Sequence, residues 1–108
     1  MMNKNYNTRL ADYALEHSES KGTARAVIFY LALRADTFQI TCETVLDIMK
    51  ATGHARNTIF RAINKLEDLG ELKRVRKSLI GNVYHVFPEG VPDDYRGFTE
   101  NENKEEEK

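Results

Sequence analysis

At 108 residues the chain is long enough for one domain with a modest core, and too short for the two-lobed clefts that many enzymes use. Its formal charge of −1 hides a segregation: residues 1–87 hold 13 Lys and Arg against 9 Asp and Glu, and residues 88–108 hold 3 against 8. The single cysteine, Cys42, excludes an internal disulfide framework, and the longest mostly apolar run, Ala26 to Leu33, falls short of the roughly 20 residues a bilayer span needs.

No basic start followed by an apolar run marks export, so a cytoplasmic protein without membrane association is expected. From Asn7 or Thr8 to about Glu19, Leu10, Tyr13, Ala14 and His17 recur at spacings of three and four, which predicts a first helix. Ser18, Ser20 and Gly22 interrupt it. A second helix, capped by Thr23, is predicted to run to about Ala35 with Val27, Ile28, Leu31 and Ala35 inward. Phe29 and Tyr30 carry its apolar surface almost around the helix, which implies deep burial or a second apolar surface for a partner.

Ile40 lies in a short apolar linker or single strand, after which Thr41 is the expected cap of a third helix whose apolar face is Val45, Leu46, Ile48 and Met49. That helix is expected to end near Thr52. Gly53 can adopt the positive φ of a tight helix-to-helix turn, and a fourth helix is predicted from Ala55 or Arg56 to Leu69, with Ile59, Ala62, Ile63, Leu66 and Leu69 inward. Gly70 stops it. Glu71 to Lys77 reads as a strand, Ser78 to Asn82 as a hairpin connection and Val83 to Phe87 as the returning strand. Leu72 and Val75 have opposite parity, so a bulge or fraying is expected in this ribbon. Pro88, Gly90 and Pro92 end regular structure, and the acidic segment 88–108 is expected to be a disordered tail.

Two helices joined by a Gly-containing turn and followed by a basic hairpin can grip DNA: the second helix enters a major groove, the first braces it, and the hairpin reaches backbone or minor groove alongside. After residue 49, Lys50, Arg56, Arg61, Lys65, Lys73, Arg74, Arg76 and Lys77 face only Glu67, Asp68 and Glu71 before the tail, a footprint suited to a polyanion. The stretch from Ala51 to Leu72 resembles winged helix-turn-helix DNA-binding proteins of bacteria, phages and plasmids, in their small-repressor and replication-protein forms. The likeness is carried by the Thr52-Gly53 turn, by Arg56, Thr58, Ile59 and Arg61, and by Leu66, Leu69, Gly70 and Leu72 leading into the hairpin, and it spans about residues 22–87. It implies a mainly α fold with a small β-hairpin wing and, here, an additional N-terminal helix. That family usually has an apolar residue where His54 stands and a capping Ser at Ala55; losing such a cap costs about 1 kcal/mol, which packing can offset.

With Ile59, Ile63 and Leu66 inward, Arg56, Asn57, Phe60, Arg61 and Asn64 lie outward or lateral, and Thr58 lies in the first turn. Asn57 and Arg61 are the expected base readers, since Asn pairs bidentately with adenine and Arg with guanine; Phe60 suits a thymine methyl. Arg56, Lys65 and Thr58 suit phosphates, and Lys73, Arg74, Arg76 and Lys77 would supply the electrostatic contribution of the wing. The expected partners are double-stranded DNA and a second copy of the chain in a homodimer reading a palindromic site. A transcriptional regulator or copy-control protein is the first functional expectation, an origin-binding replication-associated protein the second, and a protein-interaction adaptor built on the apolar second helix and acidic tail the third.

Catalysis is not expected: Cys42 has no base at a recognisable spacing, and no phosphate-binding loop is present. His17, His54 and His85 fall on three separate elements without the clustering a metal needs, so neither metal nor cofactor is expected. His17 is expected to be partly buried.

Overall fold

Four α-helices and a three-stranded antiparallel sheet make up the fold of residues 6–96, the part of the chain that the computed structural model describes. Helix α1 spans Thr8–His17, α2 Gly22–Arg34, α3 Val45–Thr52 and α4 Arg56–Asp68; strand β1 spans Ile40–Glu43, β2 Leu72–Ser78 and β3 Gly81–Val86. Strand order is β1-β3-β2, so the hairpin expected from the sequence has a third strand along its far edge.

Helix α2 lies at the centre and packs against α1, α3, α4, β1 and β3, which explains its apolar circumference. Val27, Ile28 and Leu31 are wholly buried with Leu10, Ile48, Ile59, Ile63, Leu66, Tyr84 and Val86. Phe29 and Tyr30 are half-buried. Asn7 fixes the start of α1: its side chain accepts from the Leu10 amide at 3.0 Å and donates to the carbonyl of Ala35 at 3.2 Å, tying the helix to the end of α2.

The expected cap of α3 is corrected from Thr41 to Thr44. Residues Ile40 to Glu43 are drawn into the sheet, Ile40 opposite His85 and Glu43 opposite Asn82, and Thr44 then accepts from the Asp47 amide at 2.9 Å while Asp47 accepts from the Thr44 amide, a reciprocal capping box. Glu43 is buried, and its carboxylate accepts from Thr41 Oγ1 at 2.8 Å, Tyr30 Oη at 3.0 Å and Arg34 Nε at 3.2 Å. Such a carboxylate is stable inside because its lone pairs and its charge are both answered. Burial, together with the adjacent Glu43 charge, pushes the Tyr30 phenol up to about 12.

The bulge expected in the ribbon occurs at Val75: Arg74 opposes Tyr84, Arg76 opposes Val83, and the register shifts between them. The turn is tighter than the expected Ser78–Asn82 connection, because Ser78 pairs with Gly81 and leaves Leu79 and Ile80 alone at the tip.

The chain continues in contact with the helices past residue 87, the expected end of the domain. Val91 packs against the core, and a 3-10 turn at Asp93–Tyr95 sets the Tyr95 ring 5.2 Å from that of Tyr13. Tyr95 Oη donates to Glu16 at 3.1 Å, and Arg9 donates to the carbonyl of Asp94 at 3.1 Å. Residues 97–108, with the acidic run Glu105 to Glu107, lie outside the described residues.

Candidate nucleic-acid interface

Gly53 takes φ +79 and its amide donates to Met49 at 2.8 Å, so α3 ends in a left-handed turn and α4 begins at Arg56. The N-cap of α4 is Ala55, which gives no side-chain hydrogen bond. Ile59, Ala62, Ile63 and Leu66 bury the inner face of α4 against the core, and this fixes where every other side chain of the helix goes.

Asn57, Arg61 and Asn64 form the exposed outer crest, with Asp68 at its far end. Arg56, Phe60 and Glu67 lie on the flank toward the β2–β3 ribbon; exposed Lys65 and half-buried Thr58 lie on the opposite flank. Between the ribbon-side flank and the ribbon runs a groove of about 460 Å³ lined by Val45, Arg56, Phe60, Arg74, Arg76, Lys77 and Asn82. A second, shallower depression next to it joins Arg56 and Lys77 to Leu46, Ser78 and Gly81, so the first residue of α4 and the end of the hairpin face the same space.

The four ribbon cations are not equivalent. Arg74 donates through Nε and Nη2 to the two oxygens of Glu67, at 2.9 and 2.7 Å, and through Nη2 to Asn64 Oδ1 at 2.9 Å. Those hydrogen bonds hold the Glu67 carboxyl below its ordinary range and the guanidinium above its own. Lys73 stands opposite His85 and does not line the groove. Arg76 and Lys77 line it, and among the described residues neither is ion-paired.

The structure thus brings Arg56, Phe60, Arg76 and Lys77 together, leaves Asn57 and Arg61 exposed on the crest without a partner among the described residues, joins Asn64 to Arg74, and keeps Thr58, Lys65 and Lys73 apart from the groove. Reasoning from the sequence missed Glu67, whose position seven residues after Phe60 puts it on the same flank, and missed the hairpin tip, where two aliphatic residues occupy a turn. His54 sits exposed 3.4 Å from the Thr23 hydroxyl. His17 is exposed rather than partly buried, with its ring 4.5 Å from Tyr13. Among the described residues no cluster of His, Cys, Asp and Glu is arranged to hold a metal ion, and no helix is long and apolar enough to cross a membrane.

Comparison with known proteins found no matching family model, no matching characterised protein and no matching solved structure.

Proposed function

We propose that the chain is a winged helix-turn-helix protein that binds double-stranded DNA and acts as a transcriptional regulator or copy-control protein of the phage or plasmid type, by occupying its site. Helix α3 braces the backbone, α4 enters the major groove and the β2–β3 ribbon is the wing. The observation that carries this reading is the groove in which Arg56 of α4 meets Arg76 and Lys77 of the ribbon, beside a crest on which Asn57 and Arg61 are exposed and, among the described residues, have no side-chain hydrogen bond or ion pair.

A phosphate chain running between helix and ribbon neutralises those cations, and the crest then faces base edges. Asn57 reads adenine and Arg61 guanine, each contributing about 1–3 kcal/mol of discrimination. Thr58 and Lys65, on the other flank, serve the opposite strand. Phe60, lying toward the ribbon, is better placed to pack against sugar or a thymine methyl at the groove edge than to lead the readout.

As a homodimer the protein would read two half-sites about one helical turn apart. Phe29 and Tyr30 are half-buried on α2, so no fully exposed apolar stripe of that helix marks a dimer contact, and sedimentation decides whether a dimer forms. Selection of bound sequences from a random duplex pool tests the whole reading. Enrichment of a defined site, palindromic for a dimer, is expected; a pool that enriches nothing, with no retention of duplex at low salt, overturns it.

A further inference from the structure

The tip of the hairpin contradicts its own turn chemistry. Two-residue hairpin turns favour Gly, Asn and Asp, because these adopt positive φ or bond to their own backbone. Here the two central positions are Leu79 and Ile80, 105% and 76% exposed, and neither has a positive φ. Ser78 meets the needs of the turn by itself, since its hydroxyl accepts from the Ile80 amide at 3.3 Å and donates to the Gly81 carbonyl at 3.0 Å. The aliphatic pair therefore serves neither the turn nor the core.

Its surroundings restrict what it can meet. The pairing of β1 with β3 stops at Glu43 opposite Asn82, so the tip projects beyond the third strand as a narrow prong on a backed base. From Leu72 to Phe87 the ribbon has no acidic residue, and Arg76 and Lys77 lie immediately before the tip. Phe38, the other strongly exposed apolar side chain, sits beyond Ile40 at the opposite end of the sheet; nearer the tip are Leu46, which lines a depression with Ser78 and Gly81, and Val75 at the bulge, neither as exposed as the tip pair. Two side chains cannot cover the roughly 800 Å² per partner of a stable protein interface, nor anchor a bilayer for which even one myristoyl chain is marginal. A small apolar wedge flanked by cations fits a target with apolar faces a few ångströms wide between rows of phosphates, and stacked base pairs seen from the minor groove are such a target.

We infer that Leu79 and Ile80 form a wedge that enters the minor groove and partly unstacks a base step while α4 occupies the adjoining major groove. The inference rests on the DNA-binding reading above. It makes the wing a reader of deformability as well as a source of charge, favouring pyrimidine–purine steps such as TA, which unstack most easily.

The test uses the full chain, its variant with Leu79→Ser and Ile80→Ser, and mixed-sequence duplexes carrying 2-aminopurine at TA steps. Anisotropy reports binding and 2-aminopurine fluorescence reports unstacking. The native chain should raise the fluorescence at saturation; the variant should bind about tenfold more weakly, give no rise and keep the same salt slope, because no charge has been removed. Both positions are exposed, so an unchanged unfolding transition verifies that the variant is folded. Equal affinity and no fluorescence rise with either protein overturn the wedge and leave the DNA reading standing. Failure of the native chain to bind duplex at low salt overturns that reading and the wedge with it. A tip that instead governs self-association in sedimentation, or binding to phosphatidylserine vesicles, with DNA binding unaffected by the substitutions, also overturns the inference.

Discussion

Arg74 grips the Glu67 carboxylate from two nitrogens, at 2.9 and 2.7 Å, and in doing so bolts the ribbon to the flank of α4. One of the four ribbon cations is thereby committed inside the protein, and the acidic residue on the groove side of the helix is neutralised. The groove is left to Arg56, Arg76 and Lys77. A cation surplus counted along the chain overstates the positive charge the groove leaves unpaired, because it counts a strut as free.

Replacing Glu67 by Gln separates the two roles. The pair is partly exposed, so stability should fall by less than about 1 kcal/mol. Arg74 already lines the groove; freed from its counter-charge, it should become available to a phosphate there and steepen the salt dependence of duplex binding by about one ion. Because the folded Glu67 carboxyl titrates below its ordinary value, its contribution is fully present above that value and is lost as pH falls through the folded one. Urea midpoints of the two proteins should therefore converge in acid. A difference that persists unchanged there would mean that Arg74 does not stabilise the charge.

Crest and groove should respond differently to salt and sequence. Asn57→Ala should weaken binding to a selected site by about 1–3 kcal/mol while leaving binding to random duplex nearly unchanged. Arg76→Ala should weaken both alike and lower the salt slope by about one. Titrations at several salt concentrations on both duplexes distinguish them; equal losses on both for Asn57→Ala would remove it from the base readers.

The helices and the Gly53 turn were legible because their apolar spacing is helical and because glycine is the residue that tolerates a φ of +79. The Val75 bulge followed from the parity of Leu72 and Val75. What sequence could not reveal depends on partners far along the chain. The local sequence already favours Thr44 over Thr41, since Asp47 three residues on completes a capping box, but that Ile40 to Glu43 form a strand depends on a partner about forty residues away. Likewise Tyr95, in a polar segment, is held by Tyr13 and Glu16, some eighty residues earlier. Within the site, the positions of α4 could be assigned to inner and outer faces from periodicity, but the division of its exposed residues between crest and groove is set by where the ribbon packs.

The buried Glu43 cluster predicts an alkaline effect. With its phenol pushed up to about 12, Tyr30 stays neutral in the folded protein while an unfolded tyrosine ionises near 10.0. Its contribution to stability is complete below the unfolded value and is lost as pH rises through the folded one. Native protein should lose stability more steeply than Tyr30→Phe across that window. Phenolate absorbance should show one fewer late-titrating group in the variant, and an identical late phase in both proteins would place the perturbed tyrosine elsewhere.

Gly81 should be the most demanding glycine in the fold. A Cβ there would meet the carbonyl carbon and oxygen of Glu43 at 2.8 Å, both of them backbone atoms that cannot swing aside, at a φ of +149. At Gly53 a Cβ meets nothing within 4 Å, and only the φ of +79 opposes it. Gly53→Ala should therefore cost about 1 kcal/mol, the strain of a left-handed residue. Gly81→Ala should cost about 2–3 kcal/mol, because β1 must also move away from β3 at the base of the hairpin tip. Denaturant midpoints would rank the two. Should Gly81→Ala prove no worse than Gly53→Ala, the close approach of β3 to Glu43 would not be what holds the ribbon against the third strand.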